Sequence, residues 1–140
     1  PCVIKRLRGC GAGCEYVAIT PEGDIYPCHQ FVGNEDYKLG SLYDGTFDKE
    51  LSGRFAGLNI YTREECRDCW ARFYCSGGCS ASNLLVNGDI TKSNDVACQM
   101  ERKRLECAIA LNAIEAGMGS KRNTNCNNTD CIECSLGESK

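Results

Sequence analysis

Large apolar and stiff residues are scarce in this sequence: one tryptophan, four phenylalanines and three prolines in 140 residues. That supply is too thin for a sizeable greasy core in a chain suited to one domain. No apolar run approaches the roughly 18–20 residues that cross a bilayer. The opening Pro1-Cys2-Val3-Ile4 carries no secretory signal, although a chain without an initial Met need not begin at its true N-terminus. A formal charge of −3 argues against a nucleic-acid patch and against a basic membrane surface. Gly9-Cys10-Gly11-Ala12-Gly13-Cys14 lacks the G-x-G-x-x-G spacing and the preceding strand of a dinucleotide site. No side chain stands out as a catalytic acid or base. The only histidine, His29, follows a cysteine and can be a neighbour to a metal site or a plain packing residue.

What the chain has in excess is cysteine, thirteen in all. Such a count fits either a disulfide framework in a secreted protein or metal ligation in a reducing cytosol. The number is odd, the pairs are tightly spaced and no signal is visible, which favours metal and a cytoplasmic location. Metal binding can itself be folding energy, so the cysteines take the place of the missing core.

Most of the information lies in Cys66-Arg67-Asp68-Cys69-Trp70-Ala71-Arg72-Phe73-Tyr74-Cys75-Ser76-Gly77-Gly78-Cys79, a C-x2-C-x5-C-x3-C pattern. Four soft thiolates at this spacing suit iron–sulfur clusters or zinc, and a structural zinc site is the competing reading. Gly77 and Gly78 allow positive φ and close approach of the main chain to a bulky inorganic core. Trp70, Phe73 and Tyr74 can shield such a core from water or serve as ordinary packing.

Along the chain, Glu15–Thr20 and Ile25–Cys28 flank the turn Pro21-Glu22-Gly23-Asp24, which predicts a β-hairpin returning Cys28 beside Cys10 and Cys14. Pro27 makes the return strand an edge or ends it. A short strand is expected within Tyr37–Leu42 and weak helix over Phe47–Gly57. Thr62 and Glu65 fit a capping box for a short helix starting near Arg63. Asn87-Gly88 predicts a second hairpin, with Asn83–Val86 entering and Asp89–Thr91 returning. Ser93, Asn94 and Asp95 cap a helix over about Val96–Ala116 that carries Cys98 in its first turn. Its stripe of Val96, Met100, Cys107, Leu111 and Ile114 reads as core-facing, with Cys107 a small buried residue. Residues 118–140 read as a flexible Cys/Asn-rich tail. Cys126-x4-Cys131-x2-Cys134 within it could, with Cys2 or Cys107, hold a third cluster or a zinc clip.

The order Cys10 … Gly23-x4-Cys28 … Cys66-x2-Cys69-x5-Cys75-x3-Cys79 … Cys98 resembles the SPASM domain, the auxiliary-cluster module of many radical S-adenosylmethionine enzymes. Ala18-Ile19-Thr20-Pro21-Glu22-Gly23-Asp24-Ile25-Tyr26-Pro27-Cys28-His29-Gln30-Phe31-Val32-Gly33 is similar to the thioether-forming maturases of six-cysteine (SCIFF) ribosomal peptides. So is Cys98-Gln99-Met100-Glu101-Arg102-Lys103-Arg104-Leu105-Glu106-Cys107-Ala108. The resemblance implies a small, metal-stabilised α+β fold, with β-hairpins and short helices around two [4Fe–4S] clusters and a C-terminal helix. It implies that Cys10, Cys28 and Cys79 hold the first cluster and that Cys66, Cys69, Cys75 and Cys98 hold the second. Full SPASM domains add a fourth cysteine near Cys10, for which Cys14 is well placed; some maturases instead leave that iron open for a substrate cysteine. A soft donor within reach favours Cys14 as ligand.

On this reading residues 1–8 link to an upstream domain and 9–117 form the twin-cluster domain. The chain departs from the radical enzymes in lacking a C-x3-C-x2-C loop and a barrel of roughly 200 residues. Alone it is expected not to cleave S-adenosylmethionine. Its implied partners are a radical-generating barrel, a cysteine-rich precursor peptide and an electron carrier such as ferredoxin or flavodoxin. A non-catalytic zinc-binding interaction module and a small secreted disulfide protein are the alternatives.

Overall fold

The computed structural model describes residues 7–117. The sequence-based readings of 1–6 and 118–140, including Cys2, Cys126, Cys131 and Cys134, lie outside the described residues. Strand β1 (Ala18–Ile19) pairs antiparallel with β2 (Asp24–Tyr26), with Ala18 opposite Tyr26 and Ile19 opposite Ile25. The turn between them closes through Gly23 N–H donating to Thr20 O at 2.9 Å, with Gly23 at φ 83°. That is the expected hairpin. Strands β3 (Gly40–Ser41) and β4 (Thr46–Phe47) extend it into a four-stranded antiparallel meander in chain order.

Of the two readings of Pro27, an edge strand or a strand that ends there, the second holds. β2 is an inner strand, bonded to β1 and to β3, and not an edge. Pro27 is accommodated because the strand ends one residue before it, at Tyr26.

Helix α1 (Lys49–Ala56) begins where Asp48 Oδ1 accepts the Leu51 N–H at 2.9 Å. It turns Leu51 and Phe55 inward onto Ile25, Tyr26, Cys28, Phe31, Leu39 and Ile90. The aromatic rings interlock: Phe31 meets Phe55 edge-on at 5.3 Å and Tyr37 at 5.0 Å. Truncating the cap, Asp48→Ala, should cost about 1 kcal/mol, read as a lower urea midpoint with an unchanged slope.

Four more helices follow: α2 (Glu64–Arg67), α3 (Arg72–Cys75), α4 (Ser80–Asn87) and α5 (Asp95–Gly117). The architecture is α+β, as the sequence predicts. The capping box is not formed, because the Thr62 hydroxyl instead accepts from Asn59 N–H and donates back to Gly57 O, and α2 starts without a side-chain cap. The second hairpin is absent as well. Residues 83–86 lie in α4, and Gly88, at φ 69°, ends that helix with its N–H on Leu84 O. Asn-Gly supplies a left-handed residue, which suits a helix C-cap as well as a hairpin turn.

The cap of α5 is as expected, with Asn94 Oδ1 accepting Ala97 N–H at 3.2 Å. Its apolar stripe is not a core face. No residue of α5 is buried, Val96, Met100, Leu111 and Ile114 are each more than half exposed, and Cys107 is exposed rather than a core residue. The helix crosses between two compact units divided at Lys103 and Arg104; the sheet, α1 to α4 and all eight predicted ligand cysteines lie in the first. No helix among the described residues is long and apolar enough to cross a membrane.

Candidate metal centre

The glycine-rich turn at residues 9–14 is folded back on itself by three N–H groups, those of Cys14, Glu15 and Tyr16, which all donate to Gly11 O. Gly13 N–H reaches Pro27 O at 2.9 Å, and Gly13 O accepts the Ser52 hydroxyl of α1 at 2.7 Å. A Cβ on Gly13 would lie 2.8 Å from the Phe55 side chain, so only glycine lets α1 press the turn against the sheet. These contacts bring Cys10 and Cys14 to the end of β2, where Cys28 is buried.

Cys79 enters from the start of α4, and Gln30 Nε2 donates to its sulfur at 3.8 Å. Burial pushes the Cys28 thiol up. The backbone N–H groups of Gln30 and Phe31 pull it down, and the neighbouring Cys79 and Cys10 raise it again. Cys10, Cys28 and Cys79 are therefore electrostatic neighbours. Cys14 is exposed, donating to Gly11 O at 3.4 Å and receiving Arg8 Nη1 at 3.8 Å. His29 shares a 3.3 Å hydrogen bond with the Tyr16 hydroxyl on the exposed surface.

The second group is more enclosed. Cys66, Cys69, Cys75 and Cys98 line one recess of about 60 Å³, together with Arg72 and Arg102. α2 carries Cys66, the turn after it carries Cys69, α3 ends on Cys75, and α5 contributes Cys98. The start of α5 is held in place by Asn94, whose N–H donates to Asn83 Oδ1 at 3.1 Å and whose Nδ2 donates to Ser82 Oγ at 3.0 Å. Cys66 Sγ sits 3.4 Å from Ser93 Oγ.

After Cys75 the chain turns left-handed three times in succession, at Ser76, Gly77 and Gly78, with φ 60°, 85° and 74°. The two glycines thus adopt the positive φ expected of them. The Cys75 thiol is pushed up by burial, against the pull of the Gly77 and Gly78 N–H groups. Burial likewise raises Cys98, and Cys75, Cys66 and Cys69 add to it. Trp70 and Tyr74 are each more than half exposed, so they do not enclose the recess.

Among the described residues no three His, Cys, Asp or Glu side chains converge tightly enough to chelate one ion. That is compatible with four thiols on one recess, because a single zinc draws its sulfurs to about 2.3 Å whereas a polynuclear core holds its thiolates farther apart. Among the described residues two buried donors lack an acceptor, Arg72 Nε, whose side chain lines the recess, and Asn83 Nδ2. Inorganic sulfide is an acceptor, so Arg72 and the four thiols on that recess fit an iron–sulfur group. All nine described cysteines are free thiols.

Reasoning from the sequence missed Arg63, Arg72, Asn83 and Asn94 as residues shaping these recesses. The spacing of Arg63 and Arg72, each three residues outside the Cys66–Cys69 pair, was the one available signal.

The scaffold is loop-rich and carries two cysteine groups, one enclosed and one open. Residues 10–70 match the SPASM family, described as an iron–sulfur cluster-binding domain. The matched span takes in Cys10, Cys14, Cys28, Cys66 and Cys69. An uncharacterized protein of Archaeoglobus fulgidus is 29% identical over 84% of this chain and 27% of its own length. PqqA peptide cyclases from two strains of Methylorubrum extorquens are each 27% identical over 69% of this chain and 26% of theirs. The chain spans about a quarter of the length of these relatives.

Proposed function

We propose that this chain is the auxiliary-cluster portion of a radical S-adenosylmethionine peptide maturase that forms thioether crosslinks in a cysteine-rich ribosomal peptide, as the SCIFF maturases do. The observation that carries this reading is the convergence of Cys66, Cys69, Cys75 and Cys98, from four separate segments, on one recess. The similarity to peptide cyclases supports the peptide substrate. Cys66, Cys69, Cys75 and Cys98 hold one [4Fe–4S] cluster, and Cys10, Cys28 and Cys79, with Cys14, hold the other. When bound, such a cluster supplies a one-electron acceptor whose potential follows its charge, hydrogen bonds to sulfur and exposure.

The residues around each group suit different tasks. Cys10, Cys14 and Cys79 are exposed, so a peptide thiol can approach that side. Gln30 orients the Cys79 sulfur. Cys66 is buried and its three companions are half-buried, which keeps water away from a centre that passes charge onward to a ferredoxin or flavodoxin. The radical-generating barrel is supplied elsewhere in the full-length protein, which works in the cytoplasm.

The test is the full-length protein, reduced, with S-adenosylmethionine and a cysteine-rich precursor peptide. Mass spectrometry should find two hydrogens lost per crosslink and the cysteine thiols blocked to alkylation. Cleavage of S-adenosylmethionine with the peptide unchanged in mass and thiol content would refute the assignment.

A further inference from the structure

Arg63 has no part in the function proposed so far, yet it is the most deeply buried cation described, 3% exposed. Its Nη1 donates to Ile90 O at 2.6 Å and to Thr91 O at 2.9 Å, and its Nη2 donates to Ser80 Oγ at 3.2 Å. These acceptors are all neutral. Among the described residues no carboxylate lies within ion-pair distance of it. A guanidinium taken out of water without a counter-ion costs several kcal/mol, so hydrogen bonds to neutral oxygens alone do not account for it.

Its position supplies the missing partner. Arg63 lies against the turn that joins the two cysteine groups: a Cβ on Gly77 would fall 3.2 Å from its Nε. It lines a small cavity of about 30 Å³ with Cys10, Gly78 and Ser80, on the side of the first group. On the other side, burial lowers its affinity for the proton, and the charges of Cys66, Glu65, Asp89 and Cys75, in that order, oppose the effect.

We propose that Arg63 is a counter-charge shared by the two sites, a fixed positive charge beneath the Cys75–Cys79 turn that favours the more reduced, more negative state of each. The inference rests on the iron–sulfur reading. Arg63 touches no reacting atom and is a positioning residue whose lever is charge. It touches both sides: Arg63 O accepts the Cys66 N–H at 3.1 Å, and its side chain shares a cavity with Cys10.

The test compares wild type, Arg63→Met and Arg63→Lys, all purified without oxygen, by iron and sulfide content and by a potentiometric titration followed by electron paramagnetic resonance. Arg63→Met should move the reduction equilibrium of the Cys66-group centre about ten-fold toward the oxidised form, about 59 mV lower for one electron. The other centre should move in the same direction. Arg63→Lys keeps the charge but loses the fork of hydrogen bonds, so it should melt earlier with potentials close to wild type. A Met variant that loads no iron while the Lys variant loads fully also supports the proposal. Unchanged potentials in a loaded Met variant would overturn it, as would equal loss of iron in both variants, which would assign Arg63 to the hydrogen-bond fork alone. A wild-type protein without iron or sulfide would defeat the cluster reading itself, and this inference with it.

Discussion

Replacing Cys98 with alanine should release roughly half of the bound iron and sulfide from protein isolated without oxygen, about one cluster's worth. The reasoning starts from chain connectivity. Cys66, Cys69 and Cys75 fall within ten residues of one another, whereas Cys98 comes from α5, beyond α4 and the loop after it. Of the four cysteines lining that recess it is the one distant in sequence. Its approach depends on Asn94, which ties the start of α5 to Asn83 and Ser82 of α4. Removing the sulfur leaves three thiols on an open wall and frees α5 from the recess. Because Cys75 and Cys79 are joined by only three residues, the loosening should reach the Cys10 group too, as a lower melting temperature and not as lost iron. Full retention of iron and colour would count against Cys98 as a ligand.

Phe55→Ala should destabilise the protein by about 3–5 kcal/mol and lower Tm by at least about 12 °C. Few large side chains are available to this core, so each carries an unusual share. Phe55 is 4% exposed, its ring meets Phe31 at 5.3 Å and Tyr37 at 6.1 Å, and its base abuts Gly13. The alanine variant leaves a cavity among three aromatic positions and removes the wall that holds residues 9–14 near Cys28. Thermal unfolding monitored by circular dichroism decides the matter. A fall of only a few degrees would mean that the cysteine groups, and not these rings, set the position of the turn.

Together the two substitutions separate the forces that hold the fold. Phe31, Phe55 and Tyr37 pack against one another in the first unit, and the proposed clusters would gather the cysteine-bearing segments. Residues 63–79 contain two helices of four residues each, too short to persist without tertiary support. Four of the eight predicted ligands lie in that segment.

Much of this was legible in the sequence where a residue type admits one backbone state. Pro21 and Gly23 marked the first hairpin, Asn94 marked the start of α5, and Gly77 with Gly78 marked the left-handed turn. The misreadings have a common physical origin. Asn87-Gly88 specifies a left-handed residue but not what precedes it, and α4 rather than a strand occupies that place. The stripe on α5 has helical spacing, but spacing cannot say what covers it, and it is exposed. Pro27 did mark the end of β2, but it says nothing of the strand before it, and β2 has a neighbour on each side. Arg63 was invisible as a site residue because an arginine is ordinarily a solvated charge; only its burial beneath Gly77 singles it out.

The most direct measurement is elemental: iron, zinc and acid-labile sulfide in the native chain isolated away from oxygen, alongside a visible spectrum before and after dithionite. Two four-iron centres require about eight irons and eight sulfides per chain, and a brown colour that bleaches on reduction. A colourless protein holding zinc, or neither iron nor sulfide, would contradict it.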